Sequence, residues 1–167
     1  MMGLVLGLGF QWWPELDQPW QYIAFIFIYL DVVDYWIEYS PTLKKWPPKR
    51  EIDVMLDIAI MFSMFLYIYS TTQPTIIYLL VSAMLVKTLD YFWLLSSKIE
   101  FHPVGIDKVY MDTWLRLDIV IVATTAVILF LSYFLLLPPL QTLFIYIITR
   151  LSLRIIASLA YGKVHYT

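Results

Sequence analysis

The sequence predicts an all-α integral membrane protein, a bundle of about five transmembrane helices. Three observations predict it. First, 61% of the 167 residues are hydrophobic and only 14% are charged, against about 25% charged in an ordinary soluble domain. The mean hydropathy of +0.74 means more apolar surface than a soluble chain of this length can bury. Second, the apolar residues fall into five runs near the ~20 residues a span needs, separated by proline-containing breaks. Third, the basic loop residues fall on alternate connections, as the positive-inside rule requires of a polytopic chain.

The same composition excludes several classes. With no Cys, a disulfide scaffold, thiol chemistry, iron–sulfur clusters and haem-thiolate are ruled out. The apolar content rules out disorder. A formal net charge of −2 with no basic tail argues against a nucleic-acid partner. The chain also lacks Asn, so it has no N-glycosylation site. Loss of Asn and Cys is a hyperthermophile signature, and a thermophilic archaeal source is the expectation.

Residues 1–19 are expected to form an interfacial segment, whose stretch Met1 to Trp13 is apolar but too short to span, without the basic start and small-residue cleavage site of a signal peptide. Trp12, Trp13, Pro14 and Trp20 suggest an aromatic belt, so this segment is expected to lie on the membrane surface. Gly3 and Gly7 have the GxxxG spacing of helix contacts. A single bundle is expected over 20–161, with spans at 20–39, 52–70, 75–96, 113–137 and 140–161, and a cytoplasmic tail at 162–167. The first break holds Pro41, Lys44, Lys45, Pro47, Pro48, Lys49 and Arg50. Thr71-Thr72-Gln73-Pro74 makes a tight turn. The longest loop is expected over 98–111, which contains Pro103 and Gly105. Pro138-Pro139 ends the fourth helix, since neither can continue it.

Lys44, Lys45, Lys49 and Arg50 lie in the first connection, Lys98 and Lys108 in the third, and Lys163 in the tail. The positive-inside rule then puts the N-terminus outside and the C-terminus inside. The chain also reads as an internal duplication. Gln18-Pro19 and Gln73-Pro74 open the first and third helices, and Asp34-Tyr35-Trp36 and Asp90-Tyr91-Phe92 close them. Leu56-Asp57-Ile58 and Leu117-Asp118-Ile119 begin the second and fourth.

The informative residues are the charges inside the spans. Asp31, Asp34 and Glu38 are spaced i, i+3, i+7 on one face of the first helix. Asp53 and Asp57 share a face of the second, Lys87 and Asp90 of the third, and Arg150 and Arg154 of the fifth. Arg116 and Asp118 sit near the start of the fourth. Each charge near the bilayer centre costs roughly 2.5 to 3.5 kcal/mol on insertion scales, so these must pair or line a wet cavity. The candidate network is Asp31, Asp34, Asp57, Asp90 and Asp118 against Lys87, Arg116, Arg150 and Arg154. Its bland role is to fix helix register by ion pairs; its functional role is a path for protons or cations.

Asp31, Asp34, Glu38, Asp53 and Asp57 also gather carboxylates at the ends of adjacent helices, an oxygen set suited to Mg²⁺ on a diphosphate. The spacing Asp31-x-x-Asp34-x-x-x-Glu38 resembles the acidic motif of UbiA-type membrane prenyltransferases over eight residues, with Leu30 where that motif has Asn. The resemblance implies a Mg²⁺-dependent enzyme acting on a lipid diphosphate, in a family built on nine helices. The run Trp114-Leu115-Arg116-Leu117-Asp118 resembles the third helix of voltage-sensor domains; the last helix, however, offers only Arg150 and Arg154, spaced by four rather than three. His102 and His165 fall outside the spans and are expected to be solvated, so no intrinsic haem is implied. Trp20, Trp36, Trp46, Trp93 and Trp114 lie near span ends and are expected to form belts.

These readings lead to a non-catalytic membrane subunit of a larger complex, of the energy-transducing kind, held by its charge network. A small proton or ion channel or transporter is the alternative, and a Mg²⁺-dependent lipid-modifying enzyme the third. The expected surroundings are a lipid bilayer, in a prokaryotic plasma membrane, and other membrane subunits. No resident metal or cofactor is named.

Overall fold

The computed structural model describes residues 2–161. The tail expected at 162–167, with Lys163 and His165, lies outside them. The described chain is helical: α1 (Met2–Gly9), α2 (Pro19–Lys45), α3 (Glu51–Tyr69), α4 (Ile76–Phe101), α5 (Gly105–Phe134) and α6 (Pro139–Tyr161), with 3₁₀ turns at Phe10–Glu15 and Ser70–Thr72. Among the described residues, four segments are long and apolar enough to cross a membrane: Glu51–Thr72, Ile76–Phe101, Gly105–Phe134 and Pro139–Leu159. This is consistent with an integral membrane protein in contact with lipid. The remaining long helix, α2, has 27 residues and carries Asp31 near its midpoint and Asp34 and Glu38 beyond it.

Successive helices pack on one another from α2 to α6, and α6 returns to α2, so the bundle closes as a ring. One end holds the α2–α3 and α4–α5 connections and is here the charged end. The opposite end holds the α3–α4 and α5–α6 turns. There Gln21 accepts from the Asp17 and Gln18 backbone N–H groups and donates to the Gln73 carbonyl at 3.1 Å. A residue three positions into α2 thus satisfies the orphan donors of its own helix start and ties that start to the entry of α4.

Two breaks are shorter than the sequence suggests. Helix α2 runs through Pro41 to Lys45. Proline removes one ladder bond there, but tertiary contacts hold the extra turn. The Thr42 hydroxyl donates to the Glu38 carbonyl at 2.7 Å and meets the Tyr110 hydroxyl at 3.3 Å, and Lys45 pairs with Asp107 at 2.6 Å. The loop expected over 98–111 shrinks to 102–104, because α4 and α5 project past the apolar stretch as charged helix ends. Left-handed His102, at φ 46°, and Gly105, at φ 59°, turn the chain between them, with Pro103 barring continuation. Glycine enters the left-handed region without steric cost.

The N-terminal segment forms helix α1, which packs against α3. Tyr29 donates to the Leu6 carbonyl at 2.6 Å. Tyr29 lies about 15 Å along α2 from its start, at 1.5 Å per residue, so α1 reaches well into the bundle's length. Gly9 permits the approach: a Cβ there would lie 2.9 Å from the Tyr29 hydroxyl and 3.0 Å from Ile68. Trp12 packs on Phe65 and Tyr69 with ring centroids 4.6 and 5.0 Å apart. By contrast, Gly3 and Gly7 face open space, so their GxxxG spacing serves no contact within the described residues.

The core divides lengthwise. In the half away from the charged end, all five long helices contribute buried apolar side chains. These are Ala24, Phe25 and Ile28 of α2, Met64 and Ile68 of α3, Leu79, Leu80 and Ala83 of α4, Ile128 of α5, and Leu143 of α6. The charges expected at membrane depth occupy the other half.

Candidate functional site

The α2–α6 face carries a ladder. Both helices run in the same direction, so acids three apart on α2 meet arginines four apart on α6 almost level. Arg150 Nη2 lies 3.2 Å from Asp31 Oδ1. One turn further along, Arg154 grips Asp34 in a fork, Nε to Oδ2 at 2.6 Å and Nη2 to Oδ1 at 3.1 Å, and reaches Glu38 at 2.6 Å. This is the bidentate geometry for which guanidinium is suited. On the apolar side of Arg150, the buried Tyr67 and Tyr146 hydroxyls meet at 2.7 Å, and Tyr146 is one turn before Arg150 on α6.

The second unit joins α4, α5 and α2. Lys87 Nζ lies 2.9 Å from Asp90 Oδ2 on its own helix and 3.3 Å from Asp118 Oδ1 on α5. Tyr35 of α2 donates to the other Asp90 oxygen at 2.9 Å. Lys87 and Asp90 are each 5% exposed and Asp118 0%. The ammonium also lies over the rings of Tyr35 and Trp114, at 5.1 and 5.5 Å. Aromatic faces return part of the attraction an ammonium loses on leaving water. Arg154 lies over the same Trp114 ring at 5.6 Å, which links the two units.

Between them is a cavity of about 30 Å³, lined by Asp34, Tyr35, Glu38, Lys87, Asp90 and Arg150 among others. A water needs roughly 10 to 15 Å³ on this measure, together with polar partners, and both conditions are met. One donor, Arg150 Nη1, is buried and has no hydrogen-bond partner.

The charged end is tied by further pairs. Arg50 binds Asp53 at 3.0 Å and lies 3.4 Å from Glu100, and Ser96 contacts both Arg50 and Asp53. The Asp53 hydrogen bond holds the Arg50 guanidinium above its ordinary pKa. Lys98 pairs with Asp112. These contacts staple α3 to α4 and α4 to α5 at the charged end.

The structure thus brings together Asp31, Asp34, Lys87, Asp90, Asp118, Arg150 and Arg154. It does not bring in Arg116, which lies on the exposed face of α5. Asp57 is placed nearby, but its partner is the Tyr39 hydroxyl rather than a base. The carboxylates read as possible magnesium ligands are otherwise engaged: Asp31, Asp34, Glu38 and Asp53 each face an arginine. Among the described residues no group of three or more His, Asp or Glu side chains is arranged to hold a metal.

The spacing places Glu38 on the face of Asp31 and Asp34, and its role as an Arg154 acceptor needs only the α2–α6 pairing. Three participants were not legible as such. Tyr35 and Tyr39 stand one turn apart, each directly after an acid of α2, which is the available signal. Trp114 reads from its position as a belt residue, yet it is buried against two cations. Trp20, Trp46 and Trp93 are buried as well, so packing rather than head-group contact accounts for them.

Comparison with protein-family models, curated proteins and solved structures finds no match. The function is therefore argued from the charge layer. Its chemistry is that of ion pairs and charge-assisted hydrogen bonds.

Proposed function

We propose that the protein is a non-catalytic, membrane-embedded subunit of a larger membrane assembly, of the energy-transducing kind. The observation that carries this reading is the lengthwise division of the bundle. The buried charges lie in one half; the other holds buried apolar side chains from all five long helices together with uncharged polar groups such as Ser63, Tyr67, Thr125, Ser132 and Thr142, and no buried charge among the described residues. Hydroxyls of that second half are spent on carbonyls of their own chain segment or on one another, whereas a chain that conducts ions alone needs ionisable groups or a wet path through both halves, since a charge in hydrocarbon costs several kcal/mol. If the charge layer belongs to an ion pathway, its second half comes from a partner. The exposed apolar surface, which includes Phe130, Tyr133 and Phe134, suits lipid or a partner helix. A lipid-modifying reaction at Mg²⁺ is less well supported, because the acids that would hold the metal face arginines.

In this reading α2 is a fifth span and the pairs of α2–α3 and α4–α5 are duplicated hairpins. The charged end faces the cytoplasm of a prokaryotic cell, and the lack of Asn and Cys favours a thermophilic archaeal source. A tag fused at Thr167 should be protected in sealed right-side-out vesicles while one before Met1 is accessible. Both tags on one side would exclude five spans.

The assembly is tested by purification of the native protein in gentle detergent. It should migrate well above its 19.8 kDa protomer, with unrelated membrane chains bound in fixed ratio. Recovery as a homo-oligomer that carries ions across liposomes would replace this reading with that of a channel or transporter.

A further inference from the structure

We propose that Asp90 and Asp118 share one bound proton across Lys87, exchanged with the charged end through water in the adjoining cavity. The argument begins with charge. Within the buried layer, Asp31, Asp34, Glu38, Asp90 and Asp118 are paired with Lys87, Arg150 and Arg154, five carboxylates against three cations. Arg150 is matched by Asp31. The excess falls in two places, where Arg154 serves Asp34 and Glu38 and where Lys87 serves Asp90 and Asp118. The first is half open to solvent at Asp34, whose side chain is 44% exposed, so water can screen it. The second is buried, and it keeps a whole uncompensated charge unless it binds a small cation.

Geometry selects the proton. Lys87 already occupies the space between the two carboxylates, 2.9 and 3.3 Å from their oxygens. That leaves no room for a metal ion with its several oxygen ligands at 2.0 to 2.6 Å. A proton needs only an oxygen lone pair. Neither Asp118 oxygen has a well-aligned hydrogen bond, so its lone pairs are available. Tyr35 fixes the orientation of Asp90 by donating to Oδ1. The groups that face this site are Tyr35 from α2, Lys87 and Asp90 from α4, Asp118 from α5 and Arg150 from α6; Asp57 of α3 faces Tyr39 instead.

A second observation points to water. Arg150, 6% exposed, is among the residues that line the cavity, and its buried Nη1 donor has no protein acceptor. The cavity's volume of about 30 Å³ accommodates roughly two waters. Asp34 and Glu38 line it toward the charged end and Asp90 and Lys87 on the inner side. A proton from bulk water can therefore pass by way of these waters to an Asp90 oxygen, leaving hydroxide to be neutralised in the buffer; Lys87, which lies between the two acids, then gives one of its protons to Asp118 as it takes that of Asp90, and the ammonium is restored. The apolar layer stops it from going further. The inference concerns this chain alone and stands whether or not the assembly above is found.

The test is infrared spectroscopy of the full protein in lipid bilayers. At neutral pH a carboxylic-acid C=O band should be present and should downshift promptly in D₂O. Either Asp90→Asn or Asp118→Asn should abolish it. Asparagine is close in shape to the protonated acid, so both variants should fold. Tyr35→Phe should shift the band in frequency without abolishing it. Absence of the band in the folded wild type overturns the proposal. So does a band that survives both Asn variants, or one that does not exchange with D₂O. Stabilisation of the fold by Na⁺ with no acid band would assign the excess charge to a metal ion and overturn it too.

Discussion

Arg150→Leu should destabilise the bundle by about 3 to 5 kcal/mol, the usual loss when one member of a buried ion pair is removed. The stability would be read from reversible unfolding in mixed micelles. Arg150 is 6% exposed and its partner Asp31 lies 3.2 Å away with a side chain 16% exposed, so the bare carboxylate has little solvent to turn to. The double variant Arg150→Leu/Asp31→Leu should recover most of the loss, because replacing a whole buried pair by apolar side chains is often neutral. The nearby Arg154 pair provides the contrast. Asp34 is 44% exposed and Arg154 24%, and exposed pairs are worth about 0.2 to 1 kcal/mol. Asp34→Leu, which leaves Arg154 its Glu38 partner at 2.6 Å, should therefore lose distinctly less. Equal losses at the two rungs would mean that burial does not set their strength. Failure of the double variant to recover would show that Arg150 acts through something other than Asp31.

The ladder was legible because helical periodicity acts on both partners. Asp31, Asp34 and Glu38 must share one face of a helix, Arg150 and Arg154 another, and membrane burial forces acids to find bases. Which helices would face each other was not in the periodicity, so Asp118 could not be assigned to Lys87 before the α4–α5 contact was known. Arg116 shows the same gap. It lies two residues before Asp118, and on a helix such neighbours point to different sides, so it takes the exposed face while Asp118 is buried. Asp57 failed for another reason. A tyrosine hydroxyl can satisfy a carboxylate as a base can, and counting only charged residues passes over Tyr39. The loop at 98–111 was misjudged because polar composition marks the end of an apolar stretch, not the end of a helix; α4 and α5 continue as charged helix past that point. Pro41 likewise reads as a stop until the contacts of Thr42 and Lys45 are visible.

Lys87→Met should cause a loss comparable to that of Arg150→Leu, and the comparison bears on the state of its two acids. Lys87, Asp90 and Asp118 are all within the core, at 5%, 5% and 0% exposure. If both acids are ionised, the variant strands two negative charges a few ångströms apart, and the loss should clearly exceed that of Arg150→Leu, which strands one. If the acids share a proton, the ammonium balances a single charge, and its removal strands one, for a loss of about 3 to 5 kcal/mol. Methionine keeps the aliphatic stem of lysine, so little packing is lost with the charge. Adding Asp118→Leu to Lys87→Met should restore most of the stability, because the remaining Asp90 keeps the Tyr35 hydroxyl at 2.9 Å and can hold the proton alone. Adding Tyr35→Phe instead should lower stability by a further ~1 kcal/mol, the typical worth of one hydrogen bond, or somewhat more because the acceptor is buried. A loss for Lys87→Met well beyond that for Arg150→Leu, measured under the same conditions, would mean two bare carboxylates and would count directly against the shared proton.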